Sequence, residues 1–386
     1  MPSLDEQLAE LHARSLHRQL REITSPPGTE MEFAGEKLVN FSSNDYLGLA
    51  SEPFLREAAK RAIDEYGVGS GAARLVCGTL SPHVRLEERL AEFKGTTAAL
   101  TFSSGYAAAV GTIGALMGSD DVIILDKLCH ASLIDGARLS GAIVRVFPHN
   151  HLGKLESHLQ WAREHHPDAR VLVITESVFS MDGDLAPLAE IVEIKQRYDA
   201  LLMVDEAHAT GVIGANGNGL ISALGLNRKV EIHMGTMSKS LGVSGGFICG
   251  SRKLIDLLIN RARSFIYSTS PPAALAAAAQ AALDFLASPQ GEQRRMKLWK
   301  NLRQLEHELP VSNPTRPKIE SAIIPLIIGE EEAALHAART LRKRGCFVPA
   351  IRYPTVAKGS ARLRLTLSAR HTPEQITMLC SVLAKR

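Results

Sequence analysis

Seven short, mostly apolar runs between residues 98 and 250 limit what this chain can fold into. Runs of this length that lack polar and apolar alternation are typical of strands buried on both faces of a sheet. Helical segments separate most of the runs, so we expect right-handed crossovers and largely parallel pairing. The sequence therefore predicts an α/β fold with a mostly parallel seven-stranded sheet flanked by helices. The predicted strands are 98–102, 122–126, 142–147, 171–175, 201–205, 230–235 and 246–250.

The residues on either side of this region predict an N-terminal arm and a smaller C-terminal unit. The first 23 residues are amphipathic and predict an exposed helix, which the prolines and glycine of 24–30 end. A long alanine-rich helix is predicted over 270–288, and mixed helix and strand patterns follow it. We expect an arm over 1–50, a large α/β domain over 51–288 and a C-terminal α+β domain over 289–386.

Composition argues against nucleic-acid and membrane partners. The 44 basic and 41 acidic residues are spread along the chain, so the formal charge of +3 provides no basic stripe for nucleic acid. The N-terminus lacks the apolar segment of a signal peptide, and no run of about 18 apolar residues occurs. The 5 cysteines have no C-x-x-C spacing, which indicates reduced thiols. We expect a cytoplasmic protein.

Two histidine pairs, His149 with His151 and His165 with His166, could suggest a metal site. Both pairs lie in polar loop sequence without a further ligand at a fixed spacing. We therefore expect solvated surface histidines and no metal.

Polar side chains collect where the predicted strands end, which is where open α/β sheets bind their ligands. A pyridoxal phosphate site needs a lysine for the imine, a carboxylate for the pyridinium nitrogen and an anion cradle for the phosphate. A helix that begins after a strand supplies such a cradle through its free N–H groups. The candidate groups follow in order along the chain: "SSGY" at 103–106, His130, Asp205 with His208, and Lys239 with Thr236 and Ser238.

Two other patterns in the same region indicate different chemistry but lack their required context. The G-x-S-x-G spacing at 242–246 is that of a hydrolase nucleophile elbow, which needs a helix after the serine, whereas a strand-like run follows here. The tetrapeptide at 205–208 is also the DEAH box of helicases, which need a phosphate-binding P-loop that the sequence lacks.

Five segments resemble the α-oxoamine synthases, which are pyridoxal phosphate enzymes of the fold-type I aminotransferase class. The resemblance covers nearly the whole chain and implies an acyltransferase that joins an acyl group to an amino acid with loss of carbon dioxide. It also implies a homodimer with a shared active site. The segments are "NFSSNDYLGLA" (40–50), "HASLIDGARLS" (130–140), "ESVFSMDGDLAPL" (176–188), "VDEAHATGVIG" (204–214) and "GTMSKSLGVSGGFICGS" (235–251).

The resemblance implies a role for each residue at a matching position. Lys239 would form the Schiff base with the cofactor, Asp205 would face the pyridinium nitrogen and His130 would stack on the ring. His208 and Ser180 would lie near the cofactor oxygen O3′. The remaining implied contacts are Gly105, Tyr106 and Thr236 with the phosphate, Ser268 and Thr269 with the phosphate of a partner subunit, Asn44, His130, Arg352 and Thr355 with substrate, and Arg21 with the acyl chain.

Residues 348–372 most resemble the branch of the family that serves biotin synthesis. That branch condenses L-alanine with a pimeloyl thioester, carried by coenzyme A or by acyl carrier protein. The other segments are common to the whole family. Glycine C-acetyltransferase, 5-aminolevulinate synthase and serine palmitoyltransferase therefore stay open as alternatives, as does a non-catalytic pyridoxal phosphate sensor of the same fold.

Overall fold

The structure, a computed structural model, describes residues 2–14, 16–309 and 318–384. The strands are β1 Glu30–Phe33, β2 Glu36–Asn40, β3 Ala98–Phe102, β4 Val122–Asp126, β5 Ile143–Phe147, β6 Val171–Glu176, β7 Leu201–Asp205, β8 Ile232–Thr236, β9 Gly246–Gly250, β10 Ile323–Gly329, β11 Cys346–Phe347, β12 Ala350–Ile351 and β13 Ala361–Thr366. The helices are α1 Leu4–Ala13, α2 Pro53–Tyr66, α3 Ser81–Lys94, α4 Gly105–Leu116, α5 Ala131–Leu139, α6 Leu152–His165, α7 Leu188–Arg197, α8 Leu220–Ala223, α9 Arg252–Arg261, α10 Arg263–Ile266, α11 Ala273–Leu286, α12 Pro289–Glu308, α13 Glu331–Lys343 and α14 Pro373–Ala384, with a π-helical turn at Arg74–Gly78.

The predicted sheet is confirmed, with the seven strands in the order β3-β9-β8-β7-β6-β4-β5. Strands β5, β4, β6, β7 and β8 pair in parallel, whereas β9 is antiparallel to both β8 and β3. Because the five parallel strands point the same way, their carboxyl ends meet at one edge of the sheet. Loops that leave this edge carry the residues described in the next section.

Both faces of the central sheet are covered, as the unalternating runs predict. Val171 and Val173 of β6 face one apolar cluster, whereas Leu172 and Ile174 face the other. The edge strand β5 differs, because Val146 on it is half-exposed while its neighbour β4 is fully buried. The expectation of burial on both faces therefore fails at this edge, where only one neighbouring strand pairs.

Two three-stranded sheets join the beginning of the chain to its end. One has the order β1-β2-β11, with β2 parallel to β11, and the other has the order β10-β13-β12. Residues 30–40 therefore pack with C-terminal strands, although they belong to the predicted arm. The boundaries at residues 50 and 288 stay predictions.

The N-terminal helix is shorter than predicted. It begins after the N-cap Ser3 and ends at Ala13, none of its residues is buried, and residues 16–22 have no regular structure. Without buried apolar contacts, a short helix has little beyond its own capping to stabilise it. The helix predicted over 270–288 is confirmed as α11, which begins directly after Pro272.

Gly246 is the first residue of β9, and its backbone runs against the start of α4. A Cβ at this position would meet Ser104 O at 2.4 Å and Gly105 N at 2.6 Å. We expect Gly246→Ala to lower the free energy of unfolding by about 2 kcal/mol, because backbone atoms must shift to make room. Urea unfolding of the two proteins measures this change.

Gly114→Ala on α4 is the matched control, since a Cβ at Gly114 would have nothing within 4 Å of it. Alanine in a helix interior should raise the free energy of unfolding by about 0.5–1 kcal/mol. Equal stabilities for Gly246→Ala and the parent chain would contradict the close-approach argument.

Candidate active site

Lys239 lies in the loop that joins β8 to β9, at the edge where the parallel strands end. Met237 N donates to Gly245 O at 2.9 Å and Gly242 N donates to Lys239 O at 2.9 Å, which fixes the loop. Gly242 has a φ of 70°, and a Cβ there would meet Ala50 N at 2.5 Å. Glycine is required because the loop combines a left-handed conformation with this close approach.

The Lys239 amine contacts a neutral histidine. Its Nζ lies 2.8 Å from Nε2 of His208. Burial lowers the pKa of Lys239 to about 8, against the opposing negative charges of Asp205 and Glu176. Burial and the charge of Lys239 hold the pKa of His208 well below its ordinary value. The lysine thus reaches its nucleophilic and basic form much closer to neutral pH than a solvated lysine does.

Two carboxylates act on Lys239 from the ends of neighbouring strands. Glu176 ends β6, Asp205 ends β7, and the two residues are paired in register. Both are buried, with exposures of 2% and 6%. Burial raises the pKa of each carboxyl, and the positive charge of Lys239 opposes that shift. The negative charge of Asp205 also raises the pKa of Glu176, so the two carboxyls titrate as a coupled pair.

His130 is positioned by both its backbone and its ring. The residue caps α5, with Nδ1 accepting from Ser132 N at 3.2 Å, and its backbone N–H donates to the Glu176 carboxylate. Burial lowers the pKa of His130, while Asp205 raises it and Lys239 lowers it. The imidazole is thus a fixed group, exposed at the surface, on which the charges of Lys239 and Asp205 act.

The start of α4 and the end of β8 form an anion cradle. Ser104 caps the helix, and a Cβ on Gly105 would lie 3.5 Å from Thr236 Cβ, so the two residues are adjacent. Thr236 Oγ1 lies 2.8 Å from Ser238 Oγ. Free N–H groups at a helix N-terminus beside two hydroxyls suit a phosphate group.

A line of hydrogen bonds runs from the Lys239–His208 contact to the segment 40–50. Nδ1 of His208 lies 2.6 Å from the Tyr46 hydroxyl, which in turn lies 3.2 Å from Asn44 Oδ1. Tyr46 is fully buried. Asn44, which is predicted to contact substrate, is therefore connected to Lys239 through His208 and Tyr46, and the sequence predicts no role for this tyrosine.

Arg364 of β13 completes this line. Its Nη1 donates to Asn44 Oδ1 at 3.1 Å, and its Nε donates to the Ser180 carbonyl at 2.6 Å. The side chain is buried, and its charge contributes to the lowered pKa values of Lys239 and His208. Ser180 thus lies at the site through its backbone carbonyl, and a buried cation faces the lysine.

A surface groove of about 1010 Å³ holds three other predicted substrate residues. Arg21, Arg352 and Thr355 line it together with Arg18, whose Nη2 donates to Thr355 Oγ1 at 3.3 Å. Burial lowers the pKa of Arg352, and the charges of Arg18 and Arg21 lower it further while Glu331 opposes them. The groove is basic, and its lining includes none of the residues around Lys239 described above.

The remaining predicted contacts lie near the surface. Tyr106 is about half exposed, and its hydroxyl donates to Asp135 at 2.9 Å. Ser268 and Thr269 lie in the loop after α10, where Thr269 is exposed and bridges to Ala73. Their predicted contact with a partner subunit stays a prediction.

His149 lies in an ionic cluster, so the expectation that it is a solvated histidine is wrong. Its Nδ1 is 3.1 Å from Asp126 Oδ1 and its Nε2 is 2.8 Å from Asp184 Oδ2. Burial opposes the charged ring, but the two carboxylates raise the pKa of His149 to about 10. Asp126 ends β4, whereas Asp184 belongs to the loop that carries Ser180. The imidazolium therefore ties that loop to the central sheet.

A fully buried ion pair holds the loop that carries His208. Lys94 Nζ lies 2.9 Å from Glu206 Oε2 and donates to Thr210 Oγ1 at 2.8 Å and to the Asn218 carbonyl at 2.9 Å. Breaking such a pair leaves an uncompensated buried charge, so each partner needs the other.

The chemistry of the groups around Lys239 fits pyridoxal phosphate. A shielded amine can join the cofactor's aldehyde, the buried Asp205 carboxylate suits a protonated ring nitrogen, and the start of α4 suits the phosphate. These three requirements are met at or after the ends of strands β3, β7 and β8 of one sheet.

Comparison with known proteins agrees with this chemistry. The sequence pattern of the family described as "Aminotransferase class I and II" matches residues 36–383. An 8-amino-7-oxononanoate synthase from Geobacter sulfurreducens is 44% identical over 383 residues, which are 99% of this chain and 97% of the relative. This chain belongs to the 8-amino-7-oxononanoate synthase family. It is therefore a pyridoxal phosphate-dependent enzyme and a C-acyltransferase, as predicted.

Solved structures confirm the fold-type I architecture. A serine palmitoyltransferase from S. paucimobilis aligns with a TM-score of 0.90 and 30% identity, covering 99% of this chain and 96% of its own. An 8-amino-7-oxononanoate synthase from Francisella tularensis aligns with a TM-score of 0.76 and 28% identity, covering 90% of this chain and 97% of its own.

Three further findings concern other classes of site. None of the helices in the described ranges has the length and apolarity needed to cross a membrane. Residues 2–14, 16–309 and 318–384 contain no group of three or more His, Cys, Asp or Glu that could hold a metal ion. All five cysteines are free thiols, and of these Cys77 is the exposed one.

The His149 cluster gives a pH-dependent stability. We expect His149→Asn to lower the free energy of unfolding by about 2 kcal/mol near neutral pH, because charge-assisted hydrogen bonds to two carboxylates are lost. The folded-state pKa of about 10 lies above the ordinary 6.5, so this stabilisation is complete below pH 6.5 and is lost as the pH rises to about 10. Urea unfolding at several pH values in that range measures it.

His307→Asn is the control, since His307 is exposed on α12. Its stability should follow that of the parent chain at every pH. A gap between parent and His149→Asn that stays constant across this pH range would show that the imidazolium does not stabilise the fold.

Proposed function

We propose that this enzyme condenses L-alanine with a pimeloyl thioester and forms 8-amino-7-oxononanoate, carbon dioxide and the free thiol. The observation that carries the proposal is the shielded Lys239 amine, 2.8 Å from His208 and under the charge of Asp205. The choice of substrates is supported by a relative of nearly equal length that carries the name of this product. Coenzyme A and acyl carrier protein present the same reacting thioester carbonyl, so either carrier is compatible.

Lys239 and Asp205 divide the proton chemistry between them. Pyridoxal phosphate, when bound, supplies a sink for the electrons that the amino acid's Cα releases with its proton. The Lys239 amine is the base for that proton, since its pKa of about 8 allows a neutral fraction near physiological pH. The buried Asp205 carboxylate would hold a proton on the ring nitrogen of the bound cofactor.

Arg364 suits the carboxylate of the amino acid. It is a buried arginine whose charge reaches Lys239, and a guanidinium binds a carboxylate through two parallel hydrogen bonds. The sequence predicts a substrate contact for Arg352, but this residue lies in the basic groove. We therefore assign the amino-acid carboxylate to Arg364 and the acyl substrate to the groove.

His130 suits the oxyanion that forms at the thioester carbonyl. Its Nδ1 accepts a hydrogen bond from a backbone N–H, so in the neutral ring Nε2 carries the proton. A fixed N–H donor stabilises negative charge on the attacked carbonyl oxygen without reorganising during the reaction.

The basic groove favours an acyl chain that ends in a polar or anionic group. Arg18, Arg21 and Arg352 converge there, which is unfavourable for a long alkyl chain that gains about 0.8 kcal/mol per buried methylene only in apolar surroundings. Palmitoyl transfer is the competing function, because the S. paucimobilis enzyme gives the higher TM-score of the two solved structures. The lining of the groove favours the pimeloyl chain.

A second copy of the chain completes the proposed site. Ser268 is partly exposed and Thr269 is exposed in the loop after α10, and a partner's phosphate site is their proposed contact. We also propose a cytoplasmic location, which is compatible with the free thiols of all five cysteines.

A thioester panel tests the substrates. With L-alanine, we expect pimeloyl thioester to give faster thiol release than the acetyl, succinyl or palmitoyl thioesters, because the arginine groove suits its polar end. L-Alanine should likewise exceed glycine and serine. A clear preference for palmitoyl thioester with serine, or acetyl thioester with glycine, would overturn the substrates while leaving the family unchanged.

The two arginine assignments are separable by kinetics. We expect Arg364→Lys to lower kcat/KM for L-alanine by about 30-fold to 100-fold, since lysine cannot make the bidentate contact and about 2–3 kcal/mol is lost. Arg352→Lys should instead raise KM for the thioester and leave KM for L-alanine within about threefold. The reverse pattern in steady-state assays would return the carboxylate role to Arg352.

A further inference from the structure

Tyr46 is fully buried, and its hydroxyl has one proton but two neighbouring atoms that can accept a hydrogen bond. The hydroxyl lies 2.6 Å from His208 Nδ1 and 3.2 Å from Asn44 Oδ1, and the positive charge of Arg364 acts on it. A hydroxyl donates one hydrogen bond and accepts up to two, and it rotates to suit its partners. Its direction therefore decides which nitrogen of His208 can carry the ring proton.

Without a bound cofactor, the direction of every hydrogen bond in this line follows from Lys239. With a pKa of about 8, the lysine is mainly an ammonium near neutral pH, so Nζ donates to His208 Nε2. The neutral imidazole must then carry its proton on Nδ1, which donates to the Tyr46 oxygen. Tyr46 donates to Asn44 Oδ1, which also accepts from Arg364 Nη1. Each of these polar atoms then has a partner.

Bound pyridoxal phosphate would require His208 Nε2 to donate a hydrogen bond, whereas the Lys239 ammonium requires it to accept one. Its phenolic oxygen is attached beside the aldehyde carbon, so a cofactor held by Lys239 would present an anionic oxygen near His208, the group that contacts Nζ. Nε2 must then donate instead of accept, and Nδ1 loses its proton. A lone pair on buried Nδ1 needs a donor, and the Tyr46 hydroxyl supplies one by turning from Asn44.

We propose that Tyr46 is a positioning residue that allows His208 to exchange ring tautomers, with Nδ1–H facing Tyr46 before the cofactor binds and Nε2–H afterwards. Both arrangements keep every buried group paired, because Arg364 still donates to Asn44 when Tyr46 turns away. Phenylalanine has the same ring but no hydroxyl, so it can serve neither arrangement. The inference concerns proton positions and does not depend on which thioester the enzyme uses.

Selective ¹⁵N labelling of histidine tests the wild-type chain directly. Protonated and unprotonated ring nitrogens have distinct ¹⁵N shifts, and the loss of one set of signals in His208→Gln assigns this residue among the 14 histidines. We expect Nδ1–H in the full chain without cofactor and Nε2–H after addition of pyridoxal phosphate. Nε2–H in both states, or Nδ1–H in both, would overturn the proposal without the need for a Tyr46 variant.

Tyr46→Phe tests the tyrosine itself. Without an acceptor, buried Nδ1–H is disfavoured, so the tautomer ratio in the cofactor-free chain should move toward Nε2–H by about tenfold or more. The Lys239 ammonium then loses its acceptor and its pKa falls. The pH midpoint for covalent capture of pyridoxal phosphate, trapped with borohydride, should move to lower pH by about one unit.

Other charged groups near this line are unchanged in Tyr46→Phe. Asp205, Glu176 and Arg364 act on Lys239, and Arg364 with His130 acts on His208. Tyr198→Phe is the matched control, because the Tyr198 hydroxyl contacts Glu156 at 3.4 Å and lies at the end of α7. It should keep the wild-type tautomer and midpoint.

A Tyr46→Phe chain with the wild-type tautomer ratio and midpoint would show that Tyr46 does not position His208. Neither readout uses turnover. A failure in the thioester panel would therefore leave this result standing, and a failure here would leave the substrates standing.

Discussion

The negative charges of two buried carboxylates act on Lys239, and the rest of the site depends on that arrangement. Glu176 and Asp205 stand side by side because β6 and β7 pair in parallel with those residues in register. Without a nearby positive charge, each buried carboxylate would destabilise the fold, since burial disfavours its charged form. The positive charge of Lys239 opposes that cost in both carboxyls, and their negative charges in turn raise the lysine pKa against the burial that lowers it to about 8. A slip in strand register would separate the carboxylates and remove both effects.

Ionic contacts fix the loops at the carboxyl edge of the sheet, where flexible segments would be expected. Lys94 and Glu206 hold the His208 loop, and His149 holds the loop of Ser180 to β4. From the other side, Arg362 Nη1 contacts Asp182 at 2.6 Å, which binds the Ser180 loop to β13. Functional groups on loops need such support to keep a defined geometry. The site is therefore assembled from three layers of chain: the central sheet, the loops and the C-terminal strands.

The sequence predicts this sheet and its strand-end residues well, because both depend on local patterns. Apolar runs mark buried strands, and polar residues directly after them mark the ligand edge. These patterns point to Lys239, Asp205, His208 and His130, which the structure brings together. They miss Glu176 and Arg364, whose roles depend on pairing across the chain. A signal for the arginine is present, since Arg362 and Arg364 interrupt a strand that is otherwise apolar, and buried charges need partners.

The histidines show the same limit of local patterns. His149 and His165 both lie in polar sequence, and both are predicted to be solvated. In the structure His165 is exposed, whereas the His149 ring contacts Asp126 and Asp184. These aspartates are 23 and 35 residues away along the chain. Nothing near either histidine in the sequence distinguishes them, because the difference lies in those distant aspartates.

The parallel pairing of β2 with β11 has a consequence for synthesis on the ribosome. Residues 36–40 leave the ribosome about 300 residues before their partner Cys346–Phe347, and Arg364 follows later still. Asn44 and Tyr46 therefore remain without their C-terminal neighbours until residues 364–369 have been synthesised. The central sheet and the loop that carries Lys239 can form during elongation. The surroundings of the lysine are complete only when β13 has been added. A nascent chain that stalls before β13 carries Lys239 without Arg364, so synthesis of β13 is also the step that completes the surroundings of the lysine.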